Sequence, residues 1–440
     1  MTQPVRPFII THRSIFSLAV PMTLAYLTTP LLGLVDTAVV GRLGEASLIG
    51  GLAVGAILID IIFTTFNFLR SGTTGLTAQA LGQEDKVEIQ AIFIRALIIA
   101  IIGGLVLAMF SPLLLALGLY LMAPGDEVTL AAQYYVLIRI VGAPLALANY
   151  AILGWLVGLG KARTGLLLQL TLNGSNIALS ISLGLYLEFG IQGVAIATVI
   201  SELCALLLGL YICYRLLDRN TRPSRTQLLD RDALWRFANL NVDIMLRSFA
   251  LLFAFAFFTT KSAHFGELTL AANAVLMNFF MIASYFLDGL AIAAEQIVGR
   301  AIGANYRAGF MRGLGLTFAW NTFMAMLLSI VFWLFGIDLI RLITTLEPVQ
   351  AEATQYLLLA AILPLSGVLA FQMDGVFIGA TWSRDMSLMM LVSLGAYLIA
   401  YWLLQDMANT GLWLALHIFL LMRGVTLLAR LPGRVRRTFG

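Results

Sequence analysis

Charge is scarce in this chain. Only 11% of its 440 residues are Asp, Glu, Lys or Arg, 60% are hydrophobic, and the mean hydropathy is +0.93. A soluble domain of this length needs far more charged surface, so the composition points to an integral membrane protein. Cysteine is nearly absent. Cys204 and Cys213 fall on opposite faces of one helix and cannot bridge to each other. No CxxC spacing occurs, and His12, His264 and His417 are scattered, so neither a metal nor a cofactor is expected. Also missing are a phosphate-binding Gly-rich loop and a nucleophile constellation, which argues against an enzyme or an ATP-driven pump; no catalytic residue is expected. The alternating strands of a membrane barrel are lacking as well. No small-residue cleavage site follows a short apolar core near Arg13, so the first span is read as retained.

Long apolar runs are what the chain has. A helix crossing the hydrocarbon layer needs about 20 apolar residues, and that rule gives roughly twelve spans. They begin near Ser14, Leu48, Gln90, Ala131, Thr164, Gln192, Leu234, Leu268, Gly313, Glu352, Met386 and Thr410. Assigning the loops alternately puts most basic residues on one side, including Lys86, Lys161, Arg163, Arg222, Arg307, Arg384 and Arg434. Arg42, Lys261 and Arg341 fall on the other. Both termini are therefore expected in the cytoplasm. The net charge of +4 is this asymmetry and gives no reason to invoke nucleic acid.

Comparing the chain with itself at a shift of about 220 residues reveals a duplication. Gly44-Glu45 corresponds to Gly266-Glu267, Ala80-Leu81-Gly82 to Ala301-Ile302-Gly303, and Pro144-Leu145 to Pro364-Leu365. Gly158 corresponds to Gly379 and Arg163 to Arg384. The longest polar stretch, Arg215 to Arg236, lies between the halves. The expected organisation is an all-α membrane protein of twelve transmembrane helices. Residues 1–214 form an amino-terminal six-helix lobe, 215–233 a cytoplasmic linker, and 234–440 a carboxy-terminal six-helix lobe with a basic tail. Two such like-oriented lobes are a recurrent arrangement for alternating access.

Polar residues at membrane depth are few and therefore informative. Asp36 stands in an apolar stretch after Pro21 and Pro30, with no base in its own span. Burial disfavours a bare carboxylate, which brings the neutral acid within reach at working pH. Asn173, Asn176 and Ser180 recur at i, i+3 and i+7, one face of one helix. A single such Asn often only glues helices together, but three pointing one way suit a wet cavity. Arg139 and Glu202 are expected as a buried ion pair, and Asp60, also expected buried near the middle of the second span, is the rival to Asp36. In the second half Asn241, Asp243 and Arg247 open the seventh span, and Asp243 and Arg247 have the i, i+4 spacing of a salt bridge. Asp288 and Glu295 share a helix face, and Asp374 follows Pro364. Sequence alone does not sort these acids into structural and coupling roles.

With these residues in view, the chain resembles the multidrug and toxic compound extrusion (MATE) transporters, and within them the DinF (DNA-damage-inducible) branch. The resemblance is carried over essentially the whole length. In the first half its carriers are Leu18 to Pro21, Pro30 to Gly41, Arg139 to Pro144 through Trp155, and Leu172 to Ser180. In the second they are Asn241 to Arg247, Leu270 to Asn273, Leu287 to Gly299 and Asp374 to Thr381. It implies a V of two lobes with a central cavity that exports cationic or amphipathic compounds in exchange for H⁺ or Na⁺. It also implies that Asp36 is the protonated acid of the first helix and Pro21 the bend of that helix. Tyr135, Asn149, Asn176 and Thr198 then line the cavity, with Asn173 and Ser180 on the same helical stripe. Where many relatives carry Asn-x-x-x-Asp, this chain has Asn176 followed by Ser180, which puts a two-carboxylate site in doubt.

The expectation is therefore a proton-coupled multidrug antiporter, monomeric, in the inner membrane of a bacterium, in contact with lipid and small-molecule substrates. Na⁺ coupling is the near alternative, with Asp243, Asp288, Glu295 and Asp374 as oxygen donors. A lipid-linked oligosaccharide flippase is the other, and it would be expected to cluster arginines for a pyrophosphate. By sequence only Arg139 and Arg247 were expected deep in spans.

Overall fold

The computed structural model describes residues 5–123, 125–218 and 220–440. Among the described residues it is helical throughout, without strands. The first helices are α1 (His12–Gly41), α2 (Ala46–Thr65), α3 (Phe68–Gln83), α4 (Lys86–Met109) and α5 (Ser111–Met122). Then come α6 (Asp126–Val141), α7 (Ala143–Gly158), α8 (Ala162–Ile181), a π turn (Ser182–Tyr186), α9 (Gly190–Leu216) and α10 (Arg225–Leu228). The remainder are α11 (Arg231–His264), α12 (Glu267–Gly303), α13 (Arg307–Ile343), α14 (Glu347–Gly379), α15 (Ser383–Leu403) and α16 (Ala408–Phe439).

Among the described residues 11 spans are long and apolar enough to cross a membrane, and the bent pair α6–α7 makes up to 12. Each of the twelve expected spans has its helix. Large apolar side chains such as Ile102, Leu105, Trp333, Leu334 and Phe335 stand exposed along them, as a surface solvated by lipid requires. Local chemistry sets the ends. Asp85 caps α4 by accepting the Glu88 backbone N–H at 2.9 Å, and Ser224 with Gln227 closes a capping box on α10.

Close contacts divide the chain into two compact units, Leu24–Ala238 and Met1–Thr23 with Asn239–Gly440. This partition is not that of the expected lobes, because it cuts α1 between Thr23 and Leu24. The reason is local packing: the Arg6 backbone N–H donates to Ala304 O at 2.9 Å, and the Trp320 indole donates to His12 Nδ1 at 2.9 Å. Ala19 and Thr23 lie against Gly289. The polar stretch 215–233 packs on the base of α4. Lys86 pairs with Asp218 at 3.1 Å, Gln90 donates to Asp218 O and Thr221, and buried Arg95 donates to the Gln227 and Leu228 carbonyls.

The duplication is visible inside each unit as one packing device. Gly154 and Gly158 of α7 lie against the Arg70 and Thr74 carbonyls of α3, and Gly375 and Gly379 of α14 lie against the Ala291 and Glu295 carbonyls of α12. Each residue and its counterpart are 221 positions apart. The halves differ at the corresponding prolines. Before Pro144 the span breaks by 52°, whereas α14 runs unbroken through Pro364. In the carboxy-terminal unit α12 and α14 are central, each with 61% of its apolar window buried against 33% for α13.

Candidate functional site

Asp36 lies in the half of α1 that belongs to the amino-terminal unit and is buried, with 8% of its surface exposed. Asn173, Asn176 and Ser180 share the buried face of α8, as their spacing predicts. The Ser180 hydroxyl donates to Asp36 Oδ1 at 2.8 Å and has Asn176 Oδ1 as an alternative acceptor at 3.4 Å. Asn176 Nδ2 donates to the Thr198 hydroxyl of α9 at 2.8 Å, and that hydroxyl donates to Val194 O at 3.1 Å. Asn173 leaves the string and donates to Thr28 of α1 at 2.5 Å. Four polar side chains thus run from one carboxyl group to the adjoining helix. Among the described residues no cation forms an ion pair with Asp36.

Tyr135 and Asn149 belong to a neighbouring cluster. Arg139 of α6 pairs with Glu202 of α9 at 2.9 Å, both buried, as expected from the sequence. The same guanidinium hydrogen-bonds Tyr135 and lies 5.5 Å from the centre of the Phe63 ring. Asn149 of α7 donates to the main-chain carbonyl of Glu202 at 2.8 Å. The expectation that Asp60 is buried is corrected, although its charge still reaches Arg139, Tyr135 and Tyr150. Asp60 lies with Ile57, Ile61 and Thr64 on the exposed stripe of α2, while Leu58, Ile59 and Phe63 make its buried face. Pro21 is buried in the other half of α1, a helix continuous from His12 to Gly41.

In the carboxy-terminal unit the expected bridge between Asp243 and Arg247 is also corrected. Arg247 pairs with Asp374 of α14, where Arg423 of α16 arrives as well, at 2.6 Å. Asp243 instead accepts the hydroxyls of Ser383 at 2.7 Å and Ser387 at 3.4 Å. Helical spacing made the short bridge available, but a buried carboxylate on another helix offers the guanidinium a less solvated partner. Asn241 and Glu295 are buried, and Asp288 is partly buried. Sequence reasoning missed Arg423, although counting from Thr410 already placed it at mid-span. It also missed the network in which Asn273 donates to Ser262 and Asn409 at 2.7 Å each and accepts from Trp413 at 2.9 Å. A third group, Gln372 donating to Thr317 at 2.8 Å with Asn321 at 3.4 Å, is likewise fully buried.

Eleven apolar spans among the described residues, or twelve with the bent pair counted as one, an internal repeat and polar strings at membrane depth define a multi-pass membrane protein. A family model, MatE, matches residues 21–182 and 244–403. The chain belongs to the MatE family, whose members are transporters and not enzymes. It is 37% identical to the DNA damage-inducible protein F of Escherichia coli K12, over 95% of this chain and 91% of that protein. It is 27% identical to a probable multidrug resistance protein NorM of Bacillus anthracis, over 90% and 89%. The fold matches a crystal structure of MATE in the bent conformation with a TM-score of 0.89 and 18% identity, covering 97% of this chain and 96% of that one.

Proposed function

We propose that the protein is a proton-driven antiporter of a bacterial cytoplasmic membrane that exports cationic or amphipathic compounds, acts as a monomer and keeps both termini in the cytoplasm. The observation that carries this reading is Asp36, a buried carboxyl group held by one hydroxyl and, among the described residues, in no ion pair. A charge in that setting is stabilised weakly enough for a proton to displace it. When Asp36 is ionised, Ser180 donates to it. When Asp36 is protonated, the acid can donate to Ser180, whose own proton then turns to Asn176 Oδ1. The polarity of the Asp36–Ser180–Asn176 link changes with the charge, while Asn176 donates to Thr198 in both states, and in this proposal that change favours a bend of α1 near Pro21. Each elementary charge crossing 100 mV supplies about 2.3 kcal/mol for export.

Na⁺ coupling draws less support. Of the four carboxylates offered for it, Asp374 is neutralised by arginine and Asp243 is held by serine hydroxyls. Among the described residues no three acidic, His or Cys side chains gather. The meeting of Arg247 and Arg423 is the feature a phosphate carrier would want, but Asp374 cancels one of the two charges.

Purified protein in proteoliposomes tests the proposal, with efflux of a cationic dye measured under a pH gradient and, separately, under a Na⁺ gradient. Efflux should follow the pH gradient alone and vanish in Asp36→Asn. Undiminished gradient-driven efflux by that variant refutes the role of Asp36, and efflux that needs Na⁺ at equal pH refutes the choice of ion.

A further inference from the structure

The elbow between α6 and α7 is not explained by its proline, since α14 passes Pro364 without a break. What the first repeat adds is Glu202. Arg139, near the end of α6, donates to its Oε1 at 2.9 Å, and Asn149 of α7 donates to its main-chain carbonyl at 2.8 Å. The apex residue, Gly142, faces the same side chain: a methyl group there would meet Glu202 Oε2 at 3.1 Å and Val199 Cγ2 at 2.9 Å. One residue of α9 therefore grips both arms and fills the space at the bend. Tyr135 is itself part of the α6 arm, one turn before Arg139, and Asn149 is itself the α7 contact.

We infer that Arg139 and Glu202 are a positioning pair that sets the angle of this elbow, and with it the placement of Tyr135 and Asn149 for substrate. Neither member hydrogen-bonds Asp36, although the charge of Arg139 reaches it. Its role in substrate placement rests on the transport reading above, whereas its role at the elbow does not. Breaking the ion pair leaves a buried charge without its counter-ion, which favours any conformation that lets water reach it. The arms are then tied only through Asn149, and the span can straighten.

Spin labels at Glu127 and Lys161, exposed near the two far ends of the span, read the angle directly in a background with Cys204 and Cys213 replaced by serine. Each arm has 16 residues and is about 24 Å long, so the 52° bend places the ends about 43 Å apart and a straight span about 48 Å. Pulsed electron–electron resonance on Glu202→Gln and Arg139→Gln should show the mean distance lengthen by about 3–5 Å, or a second population there. Should these fold poorly, Arg139→Met/Glu202→Met replaces both charges by apolar groups of similar length and should give the same lengthening. In the transport assay the singles should raise the KM for dye several-fold while efflux stays dependent on the pH gradient.

An unchanged distance in both singles, or in the double variant, overturns the inference. A changed distance with unchanged KM removes the role in substrate placement and leaves the elbow. The distance is read without gradient or dye, so a failure of the Asp36 prediction does not alter it.

Discussion

Substituting Gly375 by Ala should weaken the carboxy-terminal unit measurably, although the change adds one methyl group. An ideal Cβ at Gly375 would lie 2.9 Å from the Ala291 carbonyl carbon, and closer still to its oxygen; at Gly379 it would lie 2.8 Å from the Glu295 carbonyl carbon. Ordinary contact begins at 3.4 Å, and the obstacle is helix backbone that cannot rotate aside. The α12–α14 pair must separate by about 1 Å, loosening a close-packed seam, at a cost of about 1–3 kcal/mol. Replacing Gly by Ala within a helix returns about 1 kcal/mol of backbone entropy, so the net loss is about 0–2 kcal/mol per site, and the full figure of about 1–3 kcal/mol when measured against an unobstructed helical glycine that gains the same entropy. For a unit of this size a difference of about 1–3 kcal/mol from such a control lowers the apparent melting temperature by about 2–12 °C, read by tryptophan fluorescence in detergent at one scan rate. The equivalent change at Gly154, against the Arg70 carbonyl, should cost a similar amount. Gly395→Ala and Gly315→Ala are the controls, since a Cβ at either meets nothing within 4 Å. If Gly375→Ala melts no lower than Gly395→Ala, the packing argument is wrong.

Other substitutions separate the polar clusters. Ser180→Ala should slow dye efflux yet leave it driven by the pH gradient, whereas Asp36→Asn abolishes it; equal loss in both would show that the hydroxyl is indispensable rather than supporting. Asp374→Asn strands two buried guanidinium groups and should cost about 3–5 kcal/mol, against less for Arg247→Met, which leaves Asp374 paired with Arg423; melting curves of the two variants give the order. Asn273→Ala deprives Trp413, Asn409 and Ser262 of partners and should cost about 1–3 kcal/mol by the same assay. In the linker, the Asn220 backbone N–H and then Lys86 hold the Asp218 carboxyl below the usual carboxylate range. A lowered value means the contact is intact above the unfolded value of about 3.9 and is lost as pH falls through the folded one. A carbon-13 titration of Asp218 should therefore find its midpoint below about 3.9, and one at or above that value refutes the contact.

The spans were legible because lipid demands an unbroken apolar run of fixed length, and such runs survive any detail of packing. The shared face of Asn173, Asn176 and Ser180 was legible for a related reason, since three polar residues at helical spacing must point one way, but that Asp36 of another helix takes its hydrogen bond from Ser180 was not. What spacing cannot give is the partner across helices. Arg247 had an acid four residues before it and chose another, because pairing is settled by burial in the folded unit and not by reach along one helix. Asp60 was misread for the same reason, since depth along a span says nothing about which face of the helix is packed. The contrast between the two prolines is hidden still more deeply: Pro144 and Pro364 align in the sequence, and only Gly142 with Glu202 against it distinguishes the bent span.

What the two repeats keep and what they exchange follow one rule. Close approach of helix backbones depends on the absence of a side chain, for which only glycine serves, so the pairs Gly154–Gly158 and Gly375–Gly379 recur against equivalent carbonyls. A buried ion pair depends on opposite charges, and either helix can supply either sign. The repeats use that freedom. In the amino-terminal unit the cation, Arg139, is on the bent span and the anion, Glu202, on the last helix; in the carboxy-terminal unit the anion, Asp374, is on the unbroken span and the cation, Arg423, on the last helix. Only the second cluster takes an additional arginine, Arg247, while each has near it an acid held by serine hydroxyls, Asp36 by Ser180 in the first and Asp243 by Ser383 and Ser387 in the second. A proton arriving at Asp36 thus meets an environment that its neutralisation can reorganise, whereas one arriving at Asp374 would have to displace two guanidinium groups.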